Sequence, residues 1–358
     1  MREIYKRNPT EIVLFGLALW VALVSAFLPS SARAVGLQPQ GINLGATSFY
    51  DGFGRNEEGF TYLAYLQWGH AETINGRSYL GKVQPDKPIQ YVLDPTINAF
   101  VLINQLVYTL PYELFGDSAH AGINFMIPMI LFDATSNPNP PSNLIQDNGF
   151  GLGDITFGPM LQFRPVMAFG RPFFTNRIEF NITAPTGKYD PSKDINQSSN
   201  FTSLIPSWAV TLLYLPHCEL SARFSYLYNF KNLNPTLGYI LRNQLENPPQ
   251  IRYAQAGQAG WVNFAASFEF PETFHFGVNG YYFMQFNLDL WQMADGTSNP
   301  GDMSFNDYGK VTIFGIGPGA MWAIDEPNKV FANVYFQLIA DNTAKNDFVI
   351  NLRYIHSF

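Results

Sequence analysis

The end of the chain sets the strongest constraint on the fold. From Phe348 to Phe358 the even positions read Phe348, Ile350, Leu352, Tyr354, His356 and Phe358. The odd positions read Val349, Asn351, Arg353, Ile355 and Ser357. Side chains alternate across a strand, so this segment has one apolar, aromatic face and one face carrying Asn351, Arg353 and Ser357. An amphipathic last strand ending in Phe has the form of the assembly signal of bacterial outer-membrane proteins, and Tyr354 and Phe358 are its candidate residues. An edge strand of a soluble sandwich gives no reason for the terminal aromatic.

The same alternation recurs upstream. In 274–290 the even face reads Phe274, Phe276, Val278, Gly280, Tyr282, Met284, Phe286 and Leu288, against His275, Asn279, Gln285, Asn287 and Asp289 on the odd face. Segments 330–340, 260–270, 218–230, 173–184 and 152–165 behave alike. Segments 59–70, 97–110, 118–132, 204–215 and 311–323 are weaker, with Asn98 and Asn104 interrupting the second of these. Short connections are expected at 111–117, 166–171, 215–217, 271–273 and 324–328. Long ones, rich in Asn, Pro, Gly and Asp, are expected at 71–96, 133–151, 185–203, 231–259, 291–310 and 341–347. Loop lengths sorted by parity are the mark of an outer-membrane barrel. The expected fold is therefore all-β: a transmembrane antiparallel up-and-down barrel of about 12 strands, with short periplasmic turns and long extracellular loops. In hydrocarbon every backbone N–H and C=O needs a partner, and a closed barrel supplies one without a free edge. Tyr354, Phe358, Phe270, Phe274, Trp208, Tyr214 and Trp322 fall where aromatic girdles belong.

Composition agrees with strands in a membrane. Only 14% of residues are charged and 16% are aromatic, where soluble domains carry about 25% charged residues. Yet the mean hydropathy is −0.04, so apolar residues are interleaved rather than massed. That excludes disorder and a polytopic helical membrane protein. A net charge of −7 argues against nucleic-acid binding. A single cysteine, Cys218, excludes an internal disulfide framework and a cysteine-based zinc site.

The N-terminus divides into two parts. Arg2, Lys6 and Arg7 precede the uncharged run Ile12 to Leu28, which is followed by Ala32-x-Ala34, the pattern of a secretory signal peptide over residues 1–34. Residues 35–58 are expected as a periplasmic tail or a lumen plug, the latter suggested by the mixed run Phe49-Tyr-Asp-Gly-Phe-Gly54. Residues 59–358 form the barrel, and the bacterial outer membrane is the expected location.

With the polar face inward, the lumen would be lined by Asp154, Gln162, Arg164, Arg177, Glu179, Arg223, Glu269, Asn279, Gln285, Asp289, Asn351 and Arg353. Their mixed signs suit ion-paired ladders or a constriction that selects solutes. Tyr281, Phe283 and Tyr335 add apolar surface. No catalytic residue, cofactor or metal is expected. A phosphate-loop near-match at Gly76–Val83 lacks the Ser or Thr that would hold magnesium. An embedded hydrolase would need His120 or His275 beside a nucleophile, and neither has a Ser in a recognisable motif.

Two short motifs resemble a family. Gly149-Phe-Gly-Leu-Gly-Asp154 opens one strand, and Ala184-Pro-Thr-Gly-Lys-Tyr-Asp190 leaves the next. This pairing resembles the outer-membrane family of the meta-pathway of phenol degradation. The resemblance implies an exported barrel that passes small hydrophobic or aromatic compounds, with outer-membrane lipid and the barrel assembly machinery as partners. It implies no catalytic residues. The alternative is a structural or adhesive barrel with a plugged lumen.

Overall fold

Why the chain closes on itself follows from its pairing pattern. The computed structural model describes residues 42–75, 95–135, 145–236, 250–270, 273–298 and 310–358. The expected signal peptide and the near-match at Gly76–Val83 lie outside these residues. The strands are β1 (Gly59–Asn75), β2 (Thr96–Leu114), β3 (Ala119–Thr135), β4 (Phe150–Leu152), β5 (Ile155–Phe163), β6 (Val166–Ala168), β7 (Arg171–Ala184) and β8 (Ser203–Leu212). They continue with β9 (Cys218–Asn229), β10 (Ile251–Gln255), β11 (Ala259–Glu269), β12 (Phe274–Gln285), β13 (Leu290–Met293), β14 (Thr312–Ala323), β15 (Asn328–Asp341) and β16 (Thr343–Ser357). Each long strand pairs antiparallel with its sequence neighbours, and β1 pairs with β16, closing a 12-strand barrel. The closing seam runs without a break from Thr61 opposite Ser357 to His70 opposite Phe348. Strand β4 continues β5 across a break at Gly153–Asp154, and β6 forms a short periplasmic hairpin with β7. Strands β10 and β13 pair with each other above the barrel.

Parity sorts the side chains as the alternation requires. Leu66, Phe125, Phe157, Phe276, Phe336 and Leu352 are exposed on the outside, an arrangement that water would penalise and hydrocarbon accepts. Asn351, Arg353, Asn333, Asn279, Asn263 and Arg223 are buried inside. Aromatics cluster toward the strand ends, where Phe274 stacks on Trp322 and Phe60 on Tyr108. Trp208 departs from its girdle expectation. It is 8% exposed, covered by Phe224, and its indole N–H donates to Asn176 Oδ1 at 3.3 Å.

Two expectations need correction. The loop expected at 341–347 is a single residue, Asn342, with φ of 57° between β15 and β16. The polar run Asp341–Asp347 reads as loop because these strands extend past the hydrocarbon, where water removes the need for an apolar face. Arg164 was expected in the lumen. It follows the end of β5, its side chain is 44% exposed, and it pairs with Glu113 at the periplasmic rim. Its position has the inward parity of Gln162, but it stands past the last residue of β5, at the barrel mouth where water reaches it.

Asn98 and Asn104 fall on the outer face of β2, where each is paired. Asn98 Oδ1 meets His70 Nδ1 at 2.9 Å and accepts from Trp68 Nε1 at 3.4 Å. Asn104 Oδ1 accepts from the Tyr62 hydroxyl at 2.7 Å. The inner face of β2 is the unusual one: Ile97, Ala99, Val101, Ile103 and Val107 point into the barrel.

Candidate functional site: the barrel lumen

The polar inner wall is occupied by the chain's own N-terminal segment. Asp51 sits among three arginines. Its carboxylate accepts Arg223 Nε at 2.7 Å and Nη2 at 2.9 Å, a bidentate pair of the strong kind, and Arg177 Nη2 stands 3.5 Å away. Glu179 completes the network, 2.7 Å from Arg177 Nε and 3.0 Å from Arg223 Nη1. Burial alone would raise the Asp51 carboxyl, but Arg223, then Arg177 and Arg353, outweigh it and hold the group below the usual carboxylate range.

Backbone contacts fix the rest of the segment. The Gly52 N–H donates to Thr211 Oγ1 at 2.9 Å, and Gln162 Nε2 donates to the Gly52 carbonyl at 3.0 Å. Arg177 Nη1 donates to the Phe53 carbonyl at 2.9 Å. On the opposite wall Tyr335 Oη and Asn351 Nδ2 both donate to the Gly45 carbonyl, at 2.8 and 2.9 Å. Asn263 Nδ2 donates to Thr47 Oγ1 at 2.9 Å and to the Asn43 carbonyl at 3.0 Å. Phe49, 1% exposed, packs with Ala265, Met321 and Phe331, and the Arg353 guanidinium lies 3.7 Å over the Phe331 ring. At the periplasmic end Arg55 Nη1 donates to the Phe358 carbonyl, joining the segment to the last residue of the barrel. A Cβ at Gly52 would lie 2.5 Å from the Thr211 nitrogen and 2.7 Å from the Val210 carbonyl carbon. Only glycine allows that approach.

What remains is a cavity of about 890 Å³ bordered by this segment, by β1–β3 and, across the barrel, by Arg177, Glu179, Arg223 and Arg353. Its β1–β3 wall presents Leu63, Val101, Ile103, Met126, Pro128 and Ile130. Gln67, Gln105 and Asn124 interrupt this apolar run, and the charged wall that grips the N-terminal segment faces it across the cavity.

The expected lumen residues divide by position. Arg177, Arg223 and Gln162 contact the segment, as do Asn351 and Arg353, and Glu179 is linked to it through Arg177 and Arg223; Arg353 Nη2 reaches the Phe49 carbonyl at 3.4 Å. Asn279 is fully buried beside Gly319. Glu269 and His275 border the cavity toward the periplasm, where His275 Nδ1 lies 3.4 Å from Tyr50 Oη. Gln285 and Asp289 border its outer end, joined by Gln285 Nε2 donating to Asp289 Oδ1 at 2.7 Å. Asp289 lies in the connection after β12 rather than on the strand. Asp154 also faces the cavity and accepts from the Gly187 N–H at 3.0 Å and from the Ser199 N–H and Oγ–H at 2.9 Å each. The two glycine motifs are therefore one unit: Asp154 of the first holds Gly187 of the second. Asp51 itself was not singled out by the sequence, although its three nearest charged partners were. The signal was a lone acid in a glycine- and aromatic-rich run that lacks strand alternation.

The two histidines that an embedded hydrolase would need lie toward the periplasmic end. His120 is buried near the periplasmic end, with Nε2 3.8 Å from Glu113. Ser267, near His275, donates instead to Glu219 at 2.7 Å.

The comparisons agree with this architecture. No curated protein sequence matches the chain. An outer membrane channel from Pseudomonas putida F1 is similar in structure, with a TM-score of 0.64 at 14% identity, covering 86% of this chain and 98% of that one. The transport unit of the autotransporter AIDA-I from Escherichia coli aligns at a TM-score of 0.45 and 10% identity, covering 84% and 90%. The toluene transporter TbuX from Ralstonia pickettii aligns at 0.41 and 8%, covering 92% and 96%. The first of these shows the fold, a barrel of the bacterial outer membrane. The family described as the MetA-pathway of phenol degradation matches residues 82–354, and the chain belongs to that family.

Proposed function

We propose that this barrel passes small hydrophobic, aromatic-class molecules across the outer membrane. The observation that carries the reading is the division of the lumen. The N-terminal segment acts as a plug that covers the polar wall, and the space it leaves runs along Leu63, Val101, Ile103, Met126 and Ile130. An apolar solute gains contact there, while an ion or sugar meets charged groups, Asp51, Arg177, Glu179 and Arg223, that are already paired with one another. Asp154, Glu269, Gln285 and Asp289 border the two ends of the path and set its selectivity. The apolar outer belt rests in outer-membrane lipid, and Tyr354 and Phe358 are the groups read by the barrel assembly machinery.

One local feature favours sideways release into the bilayer. The β3–β5 ladder stops at Met126 opposite Thr156, and the β3–β4 ladder resumes at Met129 opposite Leu152. Pro128 has no N–H to give, and the Gly153 N–H to Pro128 carbonyl bond, 2.9 Å, bridges the gap. The outer face of this seam is apolar, and its inner face sets Met126, Pro128 and Ile130 beside Asp154 and Thr156, so a solute in the cavity meets an interrupted stretch of wall there.

The test is flux into vesicles whose outer leaflet is lipopolysaccharide, a layer that slows apolar solutes. Val101→Asp places a charge on the path and is expected to cut phenol flux about tenfold, the effect of about 1.4 kcal/mol, without lowering ion conductance. Phenol flux unchanged by the substitution overturns this path, and wild-type flux no higher than that of protein-free vesicles favours a plugged adhesive barrel.

A further inference from the structure

Outside the lumen, at the outer end of the closing seam, three metal-ligating side chains meet on the lipid-facing side. His70 lies opposite Phe348 and Ala71 opposite Asn346, so Asp347 has no cross-strand partner. Thr73 lies opposite Lys345, so Glu72 has none either. These are bulges on both strands, and bulges re-aim side chains. Without them Asp347 would share the inward parity of Val349, Asn351 and Arg353. With them Asp347 is exposed beside Glu72, whose N–H donates to Asp347 Oδ2 at 3.1 Å. The ligand atoms of His70, Glu72 and Asp347 all lie within 4.8 Å of one another.

The hydrogen bonds around His70 fix the orientation of its ring. Asn98 Oδ1 accepts from Trp68 Nε1, and an indole nitrogen only donates, so that amide oxygen is assigned by its partner. His70 Nδ1, 2.9 Å from the same oxygen, must then carry the proton. His70 Nε2 is therefore the nitrogen turned toward Glu72 Oε1, at 3.4 Å. Ligands bound at about 2.0–2.2 Å in tetrahedral geometry lie about 3.3 Å apart, close to the His70–Glu72 spacing already present. The Asn98–His70 bond is the outer partner that orients a metal-ligating imidazole.

We infer that His70, Glu72 and Asp347 form a divalent-cation site of the zinc class on the outer rim of the barrel. One imidazole and two carboxylates suit zinc and its transition-metal neighbours better than magnesium or calcium, which take oxygen ligands. The His70 ring stacks on Phe348, 5.4 Å between centroids, and Trp68 stacks on Phe100. This places the site beside the outer aromatic belt, with its remaining coordination positions open to water. The alternation along the sequence hides it, because Asp347 is distant in the chain and reaches the outer face only through a bulge.

The probe is Zn²⁺ alone, titrated by calorimetry into the full chain, chelator-washed and held in detergent. One equivalent is expected to bind saturably. His70→Ala and Glu72→Gln should each weaken binding at least tenfold, and Asn98→Ala about tenfold. His217→Ala should leave binding unchanged, since that histidine faces Glu269 at the other rim. Heat-modifiable migration on a gel establishes that each variant is folded, and Asp347→Asn serves if another fails. Absence of saturable binding to the wild type means that His70 is an imidazolium paired with Glu72 and overturns the site. Binding undiminished in folded His70→Ala means adventitious zinc and overturns it equally.

Discussion

Asp154 Oδ1 accepts the Gly187 N–H at 3.0 Å, tying the opening of one strand to the turn that leaves the next. Its second oxygen holds the Ser199 N–H and hydroxyl. One carboxylate therefore fastens the strand break at Gly153, the turn at Pro185–Gly187 and the loop behind them. Each such bond to a charged group contributes about 1.5–3 kcal/mol. Asp154→Ala should leave the barrel folded but speed amide exchange at Gly187 and Ser199 at least tenfold, measured by hydrogen–deuterium exchange. Unchanged protection would mean that the loop is held elsewhere.

The Asp51 network predicts a distinct response. Asp51→Ala leaves Arg223 buried without its bidentate partner, and breaking a buried pair costs about 3–5 kcal/mol. The N-terminal segment should leave its seat, and planar-bilayer conductance should rise several-fold. Conductance equal to that of the wild type would show that the backbone contacts at Gly45 and Gly52 suffice without the ion pair.

Acid should act at the same point. The Asp51 carboxyl titrates below its ordinary value in the folded protein, so it contributes stability that is present above about pH 4, its unfolded value. That stability falls as pH drops below this through the folded value. Conductance recorded from pH 7 downward should be flat to about pH 4 and rise below it. A rise that begins near neutral pH would point to another group.

Gly52→Ala tests fit rather than charge. The added methyl meets the Thr211 and Val210 backbone, which cannot swing aside, so the segment should be displaced while every wall residue is kept. A chain lacking residues 36–57 should give the same enlarged current. Unchanged currents in the deletion would remove the plug.

How much of this was legible in the sequence follows from how strongly the solvent enforces each feature. The pairing of β16 with β1 and the inward parity of Arg177, Glu179, Arg223 and Asn351 were readable because a one-residue slip would turn charges into lipid. The β15–β16 turn at Asn342 was not, because those strand ends stand in water and tolerate polar residues on both faces. Strand β2 reads as weak because Asn98 and Asn104 interrupt its outer face, and Val101 and Ile103 inside with Phe100 and Leu102 outside leave no alternation between them. Under the proposed function, that loss of pattern marks the solute path. Asp51 escaped because its role depends on contacts with Arg223, far away in the chain. The geometry of His70 with Asp347 escaped because a bulge reverses the parity on which the reading relies.

Paired flux of phenol and glucose through the full chain, in vesicles with a lipopolysaccharide outer leaflet, tests the divided lumen most directly. The structure predicts phenol flux well above that of protein-free vesicles and glucose flux indistinguishable from them. Glucose passing as readily as phenol would contradict it.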